Sequence, residues 1–300
     1  MPVKPWKSID EQLELLKSRN LTVNNDEEAK EFILSNNYFR ISGYTLNMRS
    51  DDWFYDDKTM DDVMECYMFD RHFRTIIMGI LENIEITYKS LIAYVHAKNH
   101  GPLGYEQSCN FSNLNSYAAI INKIIGIKAS YENNSEIFLK HYIDDLNGML
   151  PFWAAIELLN FTDTSKIFQA LLDNDKKEIV DLYLPGKPAN YPNLVSNWLR
   201  CASVIRNIAA HRGRLYNRTM QIKPRLGKTE KNILLKDSNN IVKMDKLFPQ
   251  IIAMQNLYPD KGTWQDFCYD LFVLTETFPT VNLKAYGFPD NWKEKLENRV

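Results

Sequence analysis

Residues 60–100 read MDDVMECYMFDRHFRTIIMGILENIEITYKSLIAYVHAKNH, and this run decides the fold class. Val63, Tyr67, Phe69, Phe73, Ile76, Ile77, Ile80, Leu81, Ile84, Tyr88, Leu91, Ile92 and Val95 recur at steps of three and four residues, the period of a helical apolar face. Gly101-Pro102 then closes the run. A helix of this length is expected to be the spine against which shorter elements pack. Strand-like alternation is almost absent elsewhere, so the chain reads as all-α.

The spine also carries charge. Arg71, Arg74, Glu82 and Glu85 fall on or near its apolar side. A carboxylate so placed pairs with a cation, so Glu85 is expected to meet a basic group from another part of the chain. His96 and His100 have the i,i+4 spacing of metal ligands, but Ala97-Lys98-Asn99 lacks the Glu of H-E-x-x-H and the pair lies at the helix end. No metal or other cofactor is expected.

Outward from the spine, Ser8 with Glu11 makes a capping box for a first helix, and Asn25-Asp26 starts a second. Tyr38–Tyr44 (YFRISGY) reads as an aromatic plug that docks these helices on the main body. Residues 51–62 are acidic without the order of a calcium loop, which suits a solvated loop leading into the spine's N-terminus. Downstream, helices are expected at Ser116–Ile127, Ser135–Tyr142, from Pro151, at Lys166–Leu172 behind an Asp163-Thr164-Ser165 cap, and at Asp175–Leu182. Residues 185–192 form a proline-rich connector, and Leu247–Leu257 and Trp264–Phe278 are amphipathic. The divisions are 1–58 as a docking region, 59–220 as the helical core, and 221–300 as a basic segment with C-terminal helices.

The chain has 300 residues, 45% hydrophobic and 25% charged, with a net charge of −2, the profile of an ordinary globular protein. That charge disfavours indiscriminate coating of nucleic acid but permits a local basic patch. Four cysteines lie scattered without a C-x-x-C pair, as expected of reduced thiols. No secretory signal is evident, and the longest apolar runs, Thr75–Leu81 and Ala202–Ile205, cannot cross a bilayer. A cytoplasmic protein without a membrane partner is expected.

The chemistry concentrates in Trp198–Arg218, WLRCASVIRNIAAHRGRLYNR. At about 100° per residue, Trp198, Cys201, Ala202, Ile205, Ile208 and Ala209 form a core face. Ser203, Asn207, Ala210, His211 and Arg214 fall opposite, with Arg206 at the margin. Asn207 and His211 are one turn apart, while Arg206 reaches the same point only through its length. No phosphate-binding Gly loop, nucleophile elbow or clustered His/Cys set occurs. An Arg and a His nevertheless suffice to cleave RNA through its own 2′-hydroxyl. Imidazole moves the proton and guanidinium offsets charge on the phosphate. DNA, without that hydroxyl, should survive. The bare R-x-x-x-x-H spacing carries little weight, although no other histidine has an Arg five residues before it.

Its surroundings carry more. Arg206–His211 followed by Arg212–Arg218 resembles the signature of the abortive-infection Abi-like proteins (the AbiD/AbiF group), within the HEPN superfamily of α-helical ribonucleases. Tyr38–Tyr44, Phe69-Asp70-Arg71 through Glu85, Pro151–Phe161 and Gly287–Trp292 are similar to further blocks of that family, so the likeness spans nearly the whole chain. Thr162 departs from it, where a glycine is common, a change expected to affect only a turn. The resemblance implies a HEPN-type bundle and an anti-phage RNA toxin with Arg206, Asn207 and His211 as catalytic residues. One copy of the motif implies a homodimer with a composite site. A structured non-coding RNA is an implied partner, with Arg212, Arg214, Arg218, Lys223, Arg225, Lys228 and Lys231 as RNA-binding residues. Type VI CRISPR effectors resemble the group as well. Two classes of function fit, an endoribonuclease or a catalytically silent RNA-binding module acting through a partner. A third reading has Arg206 and His211 merely tying helices together.

Overall fold

The computed structural model describes residues 5–133 and 136–297. Helix α1 (Ile9–Ser18) starts at the Ser8/Glu11 capping box and α2 (Asp26–Asn36) at an Asn25 cap, both as the sequence dictates. The aromatic block contains α3 (Tyr38–Ser42). The acidic stretch is more ordered than a loop: β1 (Arg49–Ser50) pairs antiparallel with β2 (Trp53–Phe54), the single sheet among the described residues.

Spine helix α4 (Met60–His100) follows the expected bounds. Thr59 and Asp62 cap it reciprocally, the Thr59 N–H donating to the Asp62 carboxylate at 2.8 Å and the Asp62 N–H to the Thr59 hydroxyl at 3.1 Å. Its 41 residues span about 60 Å at the α-helical rise. Val63, Phe69, Phe73, Ile77, Leu81, Ile84, Ile92 and Val95 are buried along it.

Helix α5 (Leu114–Ala129) begins two residues before the expected Ser116, because Asn113 caps it. For α6 (Ile137–Asp144), the expected start at Ser135 lies outside the described residues. Pro151 is the N-cap of short α7 (Phe152–Ala155). The cap of α8 (Phe161–Ala170) is Asn160, with Asp163 as its capping-box partner, so the expected Asp163-Thr164-Ser165 cap lies inside the helix. The earlier start lets Phe161 enter the core, where it is fully buried. Next come α9 (Asp173–Tyr183) and α10 (Tyr191–Ala210), with Pro192 in the first turn of α10 rather than in the connector.

Helix α10 packs against α4, α8 and α9. It stops earlier than the sequence periodicity suggests. The Gly213 N–H donates to the Ile208 carbonyl at 2.7 Å and the Arg212 N–H to that of Ala209 at 3.0 Å, the two bonds of a Schellman end. Arg212 sits at φ 56, and a Cβ at Gly213 would come within 3.0 Å of the Ile208 carbonyl oxygen. His211 is therefore the C-cap, and Arg214 lies beyond the helix rather than on its face. Ser203, read as outward-facing, is buried with its hydroxyl donating to the Arg200 carbonyl at 2.9 Å.

The segment after α10 is mostly irregular, containing α11 (Lys228–Asn232) and a bridge between Lys236 and Val242. It is fastened down: the Trp198 indole donates to the Arg225 carbonyl and Gln250 to that of Ile222, each at 2.8 Å. The chain ends with α12 (Leu247–Leu257), which packs on α10, then α13 (Lys261–Thr277) and α14 (Trp292–Glu297). The fold is an all-α helical bundle. Among the described residues no helix is long and apolar enough to cross a membrane.

One side chain gathers four parts of the chain. Asp70 of α4 is fully buried and accepts from the hydroxyls of Tyr44 at 2.8 Å and Tyr286 at 2.9 Å. It also accepts from the N–H groups of Leu215 at 3.2 Å and Tyr216 at 2.8 Å, and from Arg74. The aromatic plug, the spine, the loop behind α10 and the C-terminal tail thus meet at one carboxylate. Burial, then the nearby Asp70 charge, raises the phenol pKa of both tyrosines.

Candidate active site at the end of α10

The cation that Glu85 was expected to need is Arg206. The Nε of Arg206 lies 3.3 Å from Glu85 Oε2, across the contact between α10 and α4. Lys89, one turn along α4, places Nζ 3.8 Å from Glu85 Oε1 and 3.7 Å from Glu157. Burial pushes the Glu85 pKa up, opposed by Arg206 and Lys89. Arg206 is tethered to Glu85 from the α4 side and keeps 29% of its side chain exposed.

Arg206 Nη1 donates to Asn207 Oδ1 at 3.4 Å, and Asn207 Nδ2 donates to Thr162 Oγ1 at 2.9 Å. Thr162 stands in the first turn of α8, where its hydroxyl accepts from the Asn207 amide and holds that side chain. His211 is exposed, and its ring has no hydrogen-bond partner among the described residues. The structure thus joins Arg206 to Asn207 directly and leaves His211 one helical turn away at the exposed helix end. Ala210, also exposed, keeps the surface between them low.

The same helix end borders an open cleft of about 520 Å³ lined by Arg40, Arg71, Arg74 and Arg212, together with Tyr67 and Ala209. Arg74 is neutralised by Asp70, whereas Arg71 and Arg212 have no ion pair among the described residues. Arg40 donates to the Arg212 carbonyl and stands over the Tyr67 ring, 5.8 Å from its centroid. The cleft therefore carries an excess of guanidinium groups, which suits phosphate oxygens.

Residues 31–217 match the family described as Abi-like protein. The chain belongs to that family. Membership points to abortive-infection defence. No curated protein and no solved structure matches the chain. The matched span holds every residue of the site and of the arginine cleft, but ends before the basic segment and the aromatic block at 287–292.

In this Abi-like protein the other basic candidates divide into two groups. Arg214 is part of the packing: its Nη1 donates to the Tyr216 carbonyl, its guanidinium lies 6.0 Å from the Tyr44 ring centroid, and burial lowers its pKa. A Cβ at Gly43 would meet Arg214 Nε at 2.7 Å, so the Gly43 position reserves space for it. Arg218, Lys223, Arg225, Lys228 and Lys231 are exposed, with no ion pair among the described residues. Asn197 fixes the backbone there, accepting from the Arg225 N–H at 2.6 Å. Sequence reading alone missed Arg40 and Arg71 as site residues. Their signal was the presence of an arginine in each of the two blocks, YFRISGY and FDR, that dock against the α10 end.

Proposed function

We propose that this protein is a HEPN-type endoribonuclease that acts in abortive-infection defence by cutting RNA through the 2′-hydroxyl. The observation that carries this reading is Arg206. Its guanidinium is oriented by the buried Glu85 and linked to Asn207, its side chain remains partly exposed, and the exposed His211 follows Asn207 by one helical turn. His211 would take the 2′-hydroxyl proton and, with its counterpart, return one to the leaving oxygen. Arg206 would offset the charge that grows on the phosphorane oxygens. Asn207, fixed by Thr162, would orient the phosphate. None of these steps calls for a metal ion.

One chain contains one such set, and in this reading two copies face each other as a homodimer. The low Ala210 surface and the exposed Ile86 beside Glu85 suit coverage by a second copy. The arginine cleft leads RNA to the site, and Lys223, Arg225, Lys228 and Lys231 hold a structured non-coding RNA that restrains or guides the enzyme. The test uses RNA oligonucleotides in EDTA, with and without a single 2′-deoxy residue at the cut position. Cleavage leaving a 2′,3′-cyclic phosphate, abolished by the deoxy residue, is expected. Strict dependence on magnesium, or equal cutting of the deoxy substrate, contradicts the proposal. Absence of cleavage by the dimeric protein would favour the silent RNA-binding module.

A further inference from the structure

Beyond Glu85, the spine carries a second cluster of chemistry-bearing groups. His96, fully buried, lies between the rings of Phe111 and Phe152, each centroid 5.0 Å away. Neither of its ring nitrogens makes a hydrogen bond of normal geometry among the described residues, although the Gly104 backbone lies close enough to interact with the ring. That is a costly state for a buried polar group. Nε2 lies beside Gly104, and Nδ1 lies 3.9 Å from Oδ2 of Asp175. The same carboxylate oxygen is 2.8 Å from Nε2 of His100. Asp175 stands in the first turn of α9, only 2% exposed, and its other oxygen accepts from Asn99 Nδ2 at 2.9 Å.

We propose that His96, His100 and Asp175 bind a divalent first-row transition ion of the zinc class, which clamps the C-terminal end of α4 to the start of α9. The three ligand atoms all lie within 4.8 Å of one another. A tetrahedral ion with its usual bond lengths sets ligand atoms about 3.3 Å apart, and the contacts of 2.8 and 3.9 Å to Asp175 bracket that spacing. Two imidazoles with one carboxylate suit zinc and its neighbours rather than magnesium or calcium, which prefer oxygen ligands throughout. Asn99 takes the outer role, holding the carboxylate in orientation. An ion there would also give His96 a strong partner in place of its poor contacts among the described residues. The burial of the set fits a structural clamp more than a reaction centre.

The H-x-x-x-H pair is incomplete in sequence because its third ligand comes from 75 residues away. The missing Glu of H-E-x-x-H supplies catalysis in zinc proteases, not coordination. His96 follows Glu85 by eleven residues, about 16 Å along the helix, so this cluster stands apart from the α10 site and does not depend on the nuclease reading.

The test uses the full-length chain without a histidine tag, stripped with EDTA and offered Zn²⁺ or Co²⁺. Desalted wild-type protein should retain about one equivalent of Zn²⁺, the stoichiometry of a single tetrahedral site. It should melt at a higher temperature with Zn²⁺ than without, and its Co²⁺ form should show the visible absorption of nitrogen-ligated cobalt. Asp175→Asn, nearly isosteric and checked for helical circular dichroism, and His100→Ala should each lose retention. Asp145→Asn, which alters the exposed His141 pair, should keep it. Failure of the wild type to retain Zn²⁺, or equal retention by Asp175→Asn, overturns the proposal. Metal content is the readout, so the result is independent of RNA cleavage.

Discussion

Asp70 and Glu85 project from the same helix fifteen residues apart, and their surroundings differ in kind. Asp70 is sealed, with five donors from four segments of chain around its two oxygens. Glu85 is met by cations at longer range, Arg206 at 3.3 Å and Lys89 at 3.8 Å, and burial raises its pKa. The first arrangement spends every lone pair on holding the fold. The second holds a guanidinium in position while leaving part of the arginine side chain exposed. A buried charge that is fully satisfied fixes structure; one that is partly satisfied is the kind of place where chemistry is done.

The largest expected effect breaks the sealed end. Asp70→Ala strands two tyrosine hydroxyls, two backbone N–H groups and Arg74, which should cost about 3–5 kcal/mol. In a chain of this size that lowers the melting temperature on the order of 10 °C. Calorimetry checks it, and a near-wild-type melt would mean that Asp70 is not the hub.

Arg206→Ala is expected to cost less, about 1–2 kcal/mol near neutral pH, because Glu85 retains Lys89. The loss should shrink in acid, where Glu85 becomes protonated and no longer needs a cation. In an Arg206→Ala, Glu85→Gln double variant the combined loss should be smaller than the sum of the two single-variant losses. A pH-independent loss would remove Glu85 as the partner. This measurement also bears on the helix-tie reading, since Arg206 does join α10 to α4 whereas the His211 ring has no hydrogen-bond partner among the described residues.

Glu85→Gln alone sharpens the contrast further. The folded protein holds the Glu85 proton more tightly than the unfolded chain, so stability falls as pH rises from the ordinary glutamate range through the raised value. The glutamine variant should flatten that slope, with a net change under about 1 kcal/mol at neutral pH. Urea unfolding across the acid range reads it. Thr162→Ala should change stability by about 1 kcal/mol or less and slow cleavage about tenfold, as a loss of positioning worth 1.4 kcal/mol would. Thr162→Ser should restore the rate, whereas a rate indifferent to both changes would free Asn207 from Thr162.

Much of this architecture was legible in the sequence. The period of α4 and the Gly101-Pro102 stop gave its full extent, and the caps at Ser8 and Asn25 fell where local chemistry requires them. A carboxylate at position 85 announced its need for a cation, but the partner lay 121 residues on, beyond the reach of any local rule. The same holds for Thr162 with Asn207 and for Asp175 with the histidines of α4. The end of α10 escapes the sequence pattern for a different reason. Periodicity continued through Arg214, while termination depended on an arginine accepting a left-handed conformation ahead of Gly213, for which the residue type gives little warning. Spacing along one helix could be read from sequence; what meets across helices could not.

The most direct test of the open end is His211→Ala, measured for melting temperature and RNA cleavage in the same preparation. Loss of an exposed side chain should leave stability within about 0.5 kcal/mol of wild type, while loss of a general acid–base group should reduce cleavage by about 10²–10⁴-fold. Cleavage that persists at the wild-type rate in a normally folded His211→Ala protein would contradict the account.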